Sequence, residues 1–327
     1  MAAVHGNQDV CAGGTSCGPN QGIVLSPLVS TAWHPTRAQV LDVRMNFGSY
    51  QFDDGTPILE WLEPNFTAAQ QAQLFDRIAQ HGDTHVMLAV HASYRPTYPV
   101  PQSTLTPQQL HDAIVDMRDQ HHLIPWVMLS SGDGGTGTDP DRVWPAYMAA
   151  LGDVKNDAIW CLGFEVGANA GWTSAQILHG VHVLRQWLGP AGVIAYEPIP
   201  ERFTGSSHPV ERDDPSNGDE VGWWRLPDAQ QIDLFAYETS HGSKLMEQPC
   251  AVSDGGCWLN RWQEGVQRLG AGGRGWPKKP LVLLETNTMD CYNDHAQCAA
   301  YGRLTAAGLK VCTDNGIRCG YGSGAPQ

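Results

Sequence analysis

The order in which apolar runs and capped helix starts follow one another constrains this chain most. Short stretches rich in Val, Ile and Leu alternate with segments that open on a helix-capping residue. Residues 40–47 read as a first strand. Thr67, with Gln70 three positions on, opens a helix to about His81: the Thr hydroxyl takes the third helical amide while the Gln side chain reaches back. Residues 84–92 are a second strand. Thr106-Pro107-Gln108-Gln109 opens the next helix, with proline at the first helical position, where its missing N–H costs nothing. Residues 123–130 follow as a strand, Asp139-Pro140 as a helix start, 158–165 as a fourth strand. Thr173 and Gln176 cap a helix that ends at Gly189-Pro190, and 192–197 is a fifth strand. A long polar segment, 198–228, precedes strands at 232–238 and 280–285, helices at 258–269 and 294–309, and a weak eighth strand at 316–321.

Repeated strand–helix units with continuously apolar strands predict a parallel sheet covered by helices. Seven such units and an eighth strand give a single (β/α)8 TIM barrel over residues 1–327. Residues 1–39 form an N-terminal extension packed on it, and a long loop follows strand five. An open doubly wound sheet is the competitor. It is disfavoured because Asn46-Phe47-Gly48-Ser49 is not a glycine-rich phosphate loop.

Four of the apolar runs end in a glutamate: Gly163-Phe164-Glu165, Ala195-Tyr196-Glu197, Ala236-Tyr237-Glu238 and Leu283-Leu284-Glu285. In a barrel the C-terminal strand ends carry the chemistry. Pleat parity puts Glu165 on the face of Cys161 and Gly163, and Arg44 is expected to point inward as a partner for one carboxylate. Asn46, His91, Tyr196, Tyr237 and residues after the third strand add polar groups. Trp172, Trp223 and Trp224 are candidate platforms for sugar rings; the other reading of any tryptophan is core packing. Two carboxylates of unequal pKa suffice for glycoside hydrolysis.

The arrangement resembles the large glycoside hydrolase clan of (β/α)8 enzymes that carry catalytic glutamates on strands four and seven. That resemblance implies Glu165 as general acid/base and Glu285 as nucleophile of a retaining enzyme acting on an oligo- or polysaccharide. The substrate contacts would come from Asn46, His91, Trp172, Glu197, Tyr237, Glu238, Trp223 and Trp224. Two positions depart from the clan's habit: Phe164 stands where an Asn usually precedes the strand-four glutamate, and Tyr321 where a Trp usually closes the last strand. The rival readings are a divalent-metal sugar isomerase and a non-catalytic carbohydrate-binding barrel of an extracellular or virion assembly. No HxH or HExxH motif supports the first, and neither cofactor nor metal is expected.

A formal net charge of -14 argues against nucleic acid or an anionic membrane as partner and leaves a carbohydrate open. No segment has the length and apolarity of a membrane span. Of 9 cysteines, eight fall in close couples (Cys11 and Cys17, Cys250 and Cys257, Cys291 and Cys298, Cys312 and Cys319), and Cys161 is left over. Short-loop disulfides are the simplest account, and they imply an oxidising compartment. The first residues, Met1 to His5, contain no apolar leader core. The expected location is extracellular, after loss of a leader, or virion-associated.

Overall fold

The computed structural model describes residues 32–45, 50–51, 57–58, 61–62, 67–80, 82–92, 103–130, 139–163, 166, 172–197, 229–238, 279–284, 314 and 318–319. The chain divides into two compact units, Met1–Ala32 and Trp33–Gln327. Every described residue except Ala32 lies in the second. The expected packing of residues 1–31 on the barrel, the polar segment 198–228, the helices at 258–269 and 294–309, and the four cysteine couples fall outside the described residues, save the strand residue Cys319.

Eight strands form one sheet in strict chain order. They are β1 (Trp61–Leu62), β2 (His85–Ala89), β3 (Ile124–Ser130), β4 (Ile159–Gly163), β5 (Val193–Tyr196), β6 (Leu234–Glu238), β7 (Leu281–Leu284) and β8 (Arg318–Cys319). Every pairing is parallel. Met128 stands beside Cys161, Ser130 beside Gly163, and Cys161 beside Ala195. Helices α1 (Arg37–Leu41), α2 (Ala68–Gln80), α3 (Pro107–Asp116), α4 (Trp144–Ala150) and α5 (Ser174–Leu188) accompany the strands. No described helix is long and apolar enough to cross a membrane.

Strands β3, β4 and β5 are buried on both faces, and their sequences are accordingly almost wholly apolar. Alternate residues separate into two cores. One gathers Met87, Ile124, Trp126, Met128, Ile159, Cys161, Val193, Ala195, Leu234, Ala236 and Val282 with Val40, Val43 and Met45. The other holds the opposite parity, Val86, Leu88, Val127, Leu129, Trp160, Leu162, Ile194 and Tyr196, against the helices. Side chains from six successive strands meeting in the first core make it the inner face of a strongly curved sheet. Each large side chain withdrawn from water there contributes roughly 1.5–3 kcal/mol.

Four of these five helix starts obey one local rule. Thr36 with Gln39, Thr106 with Gln109, and Thr173 with Gln176 form reciprocal capping boxes. Thr67 and Gln70 make the same contacts. The first of these boxes corrects the described part, 40–45, of the strand expected at 40–47; Asn46 and Phe47 lie outside the described residues. With Thr36 capped, residues 37–41 coil into α1, and Val40 reaches the inner core from a helix. The chain beyond it is pinned to the start of β2 instead of laddering along it. Thr84 and His85 amides donate to the Arg44 carbonyl at 2.9 and 3.0 Å. His85 Nε2 donates to the Val40 carbonyl at 3.0 Å, while its Nδ1 accepts from the Arg44 amide at 3.3 Å. The Arg44 side chain is correspondingly exposed and lies 3.5 Å from Asp42, not in the inner core. Val43 and Met45 take the inward positions. The third helix also begins later than its Asp-Pro signal: Asp139 closes a turn with Asp141, Arg142 and Val143, and α4 starts at Trp144.

Candidate active site

A parallel sheet in chain order brings all its C-terminal strand ends to one edge. There β3 ends in Ser130, β4 in Gly163, β6 in Glu238, and Glu197 directly follows β5. Beyond β2 the chain turns into a short antiparallel pairing of His91 with Thr104 and Ala92 with Ser103.

On β4 the inner residues shrink towards this edge, whereas β5 runs into a carboxylate. On β4 the order is Ile159, Cys161, Gly163; on β5 it is Val193, Ala195 and then Glu197. Trp126, Met45 and Val43 fill the opposite end and are buried. The inner core is therefore packed at the N-terminal end of the strands with large apolar side chains.

Glu197 is wholly buried and continues the inward parity of Val193 and Ala195. Its carboxylate is felt on the neighbouring strand: burial pushes the Cys161 thiol far up, and the nearby Glu197 charge pushes it further. Cys161 is a free, buried thiol, as its place in an apolar run predicts. Ser130 is buried too, and among the described residues its hydroxyl has no hydrogen-bond partner. The parity of Ile124, Trp126 and Met128 was the signal for Ser130, which the sequence reading passed over in favour of residues further along the loop. Gly163 is required by geometry. Its φ is +150°, and a Cβ there would stand 2.4 Å from the Ser130 carbonyl oxygen and 2.7 Å from Val166 Cγ1.

Two expected neighbours lie elsewhere. Tyr196 faces the helical layer and is fully buried. Trp172 sits in the same layer at 5% exposure, its ring 6.2 Å from that of Trp144 and seated over Gly180. That is the position of a core residue and leaves no open face for a sugar. For His91, Tyr237 and Glu238 the backbone alone is described. Glu165, Glu285, Asn46, Trp223 and Trp224 lie outside the described residues. Among the described residues, no group of three or more His, Cys, Asp or Glu is placed to hold a metal ion.

No protein-family model matches the chain, and no curated protein matches it. Solved structures do. A family 5 xyloglucanase from Paenibacillus pabuli superposes with a TM-score of 0.52 at 13% identity, over 86% of this chain and 89% of that one. A glycoside hydrolase family 5 enzyme from Prevotella bryantii gives 0.51 at 12% identity, over 89% and 92%. The likeness is one of fold. It spans nearly the whole of each molecule, and so identifies the architecture as α/β with the parallel-sheet plan of these TIM-barrel hydrolases.

Proposed function

We propose that this protein is a retaining glycoside hydrolase acting on an oligo- or polysaccharide, with Glu165 as general acid/base and Glu285 as nucleophile. One observation carries the reading. The sheet sets the C-terminal ends of β4, β5, β6 and β7 side by side, and each of these strands runs in sequence into a glutamate. Glu165 comes two residues after β4, and Glu285 one residue after β7. The fold shared with family 5 enzymes supports the same assignment.

In the first step a Glu285 carboxylate oxygen attacks the anomeric carbon while Glu165 gives its proton to the departing glycosidic oxygen. The products are a glycosyl-enzyme ester and a free hydroxyl on the leaving sugar. Water then attacks the same carbon, Glu165 takes its proton, and the ester bond to Glu285 breaks. Retention needs the two carboxyl groups about 5–5.5 Å apart. The buried Glu197 on the adjacent strand adds negative charge close to this edge, which favours the protonated form of a neighbouring carboxyl. Glu238, with His91, Tyr237 and Asn46, is proposed to hold sugar hydroxyls, and Trp223 and Trp224 to stack on rings, while the wholly buried Glu197 acts only as a neighbouring carboxyl.

The test is hydrolysis of a panel of soluble β-glucans, xyloglucan and mannans, with the anomer of the first product followed by NMR. Glu165→Gln is expected to lose about 10²–10⁴-fold on natural substrates, yet far less on an aryl glycoside whose leaving group needs no proton. Glu285→Gln is expected to be inactive on both. If the wild-type chain binds these polysaccharides but hydrolyses none, and both variants bind equally well, the carbohydrate-binding reading replaces the enzyme.

A further inference from the structure

Beyond β2 the chain does not pass straight into α3. Val90 prolongs the parallel ladder, its amide donating to the Met128 carbonyl of β3 at 3.1 Å. His91 and Ala92 then pair antiparallel with Thr104 and Ser103. The returning limb enters α3 through Leu105 and the Thr106 capping box. Leu105 directly precedes that cap, Leu110 follows the first turn, and both are buried in the core beneath the helices. Apolar residues at these two positions fix the angle at which a chain enters its helix. The short pair that carries His91 is therefore anchored at both its roots.

A third anchor comes from α4. The Tyr147 phenol donates to the Leu105 carbonyl at 2.6 Å, across 42 residues of sequence. Leu105 in turn gives its amide to the Val90 carbonyl at 2.9 Å. That carbonyl belongs to the peptide unit that ends in the His91 nitrogen. Two hydrogen bonds in line thus join the phenol to the backbone of His91, and each bond in such a line polarises the next. Tyr147 is 6% exposed and packs in the helical layer, away from a substrate at the strand ends. Burial pushes its pKa above the ordinary 10, so the phenol keeps its proton through the neutral range. The packing of the ring does not need the hydroxyl, since a phenylalanine fills the same space. What the hydroxyl adds is the bond to Leu105.

We infer that Tyr147 is a positioning residue for the candidate site: acting through Leu105 and Val90, it sets where His91 stands at the strand-end edge and so tunes the grip on substrate. The inference rests on the reading in which His91 holds a sugar hydroxyl. It adds a residue of the outer layer that touches no substrate. Without the phenol, a buried carbonyl loses its donor, and the limb shifts to recover a partner or water. The displaced His91 then loses a contact made in the ground state and the transition state alike. Such a loss raises KM and leaves kcat in place.

The test is steady-state hydrolysis of a soluble glucan, xyloglucan or mannan that the wild-type chain cuts, at a temperature where every variant is folded. Tyr147→Phe is expected to raise KM about 3–10-fold, the worth of one neutral hydrogen bond, with kcat within about twofold. His91→Ala is expected to raise KM at least as much. Adding Tyr147→Phe to His91→Ala is expected to change nothing further, because both remove one and the same contact. Ile177→Val, in the buried core under α5, controls for loosened packing and is expected to leave both constants at wild-type values. If the phenol serves stability alone, Tyr147→Phe lowers the unfolding midpoint and leaves KM unmoved, and that result overturns the inference. So do an unchanged KM in His91→Ala, an equal rise in Ile177→Val, and two single effects that multiply in the double variant. Failure of the hydrolase reading looks different: the wild-type chain then cuts no polysaccharide, and the inference falls with it.

Discussion

Replacing Gly163 by alanine tests the link between the packed sheet and the strand-end edge proposed to carry the catalytic glutamates. Two effects add. The residue sits at φ +150°, a conformation that L side chains rarely adopt. Holding alanine there costs about 1–3 kcal/mol. The new methyl would also lie 2.4 Å from the Ser130 carbonyl oxygen and 3.0 Å from its carbonyl carbon. These atoms belong to the backbone of β3, which is tied to β4 through the Met128–Cys161 and Ser130–Gly163 register. No flexible side-chain end is available to move aside. Overpacking of this kind costs about 1–3 kcal/mol more.

The expected total is about 3–4 kcal/mol. In urea, with a slope of about 3 kcal/mol per molar for a chain of this size, the midpoint should fall by about 1 M. Gly82→Ala is the control. That residue also has positive φ, +80°, but nothing lies within 4 Å of an added Cβ. Conformation alone then costs about 1–2 kcal/mol. A Gly163→Ala midpoint within about 0.3 M of wild type would show that β3 and β4 separate freely, and the steric argument would be wrong. Because Glu165 follows two residues later, hydrolysis by the folded variant is expected to drop about 10²-fold through misplacement of its carboxyl.

Three further substitutions or reactions probe the frame. Asp233→Ala removes the carboxylate shared by Arg37 at 2.6 Å and Arg185 at 2.5 Å, together with the acceptor for the Ile194 amide; unfolding in urea should show a loss of about 3 kcal/mol. Tyr147→Phe deletes the 2.6 Å hydrogen bond from the phenol to the Leu105 carbonyl in a buried setting, with an expected loss of about 1–2 kcal/mol by the same measurement. Iodoacetamide at about pH 8 is expected to leave Cys161 unmodified in the native protein and to label it in urea, read by peptide mass mapping, because burial keeps its thiol protonated.

The parts of the fold that could be read from sequence are those decided within a few residues. Strands β3 to β5 were legible because burial on both faces makes them continuously apolar, and β6 and β7 because their runs are apolar in sequence. The helices at Thr67, Thr106 and Thr173 were legible because a capping box needs only a Thr and a Gln three positions apart. The identical pair Thr36 and Gln39 was passed over. It precedes an apolar stretch, and a short apolar stretch fits helix and strand equally; the cap breaks the tie. β1 has two residues between Glu60 and Glu63, too few for any periodicity. The burial of Trp172 depends on Gly180 leaving room in α5, a contact across the helical layer that spacing along the chain does not encode.

The same limit governs the candidate site. Glu197 was legible because it terminates an apolar run, and its burial on the inner face follows from the parity of Val193 and Ala195. What parity alone does not supply is the grading of the inner residues: isoleucine, then cysteine, then glycine along β4, and valine then alanine along β5. Glycine at the top serves the close approach of the Ser130 carbonyl and Val166 and leaves no gap, while cysteine and alanine midway up lie above a sealed layer. The buried Trp126, Met45 and Val43 perform that sealing. A carboxylate at the end of such a strand meets little competing side-chain bulk on one side and a packed apolar floor on the other. That combination keeps it close to a ligand and strengthens every charge interaction made there.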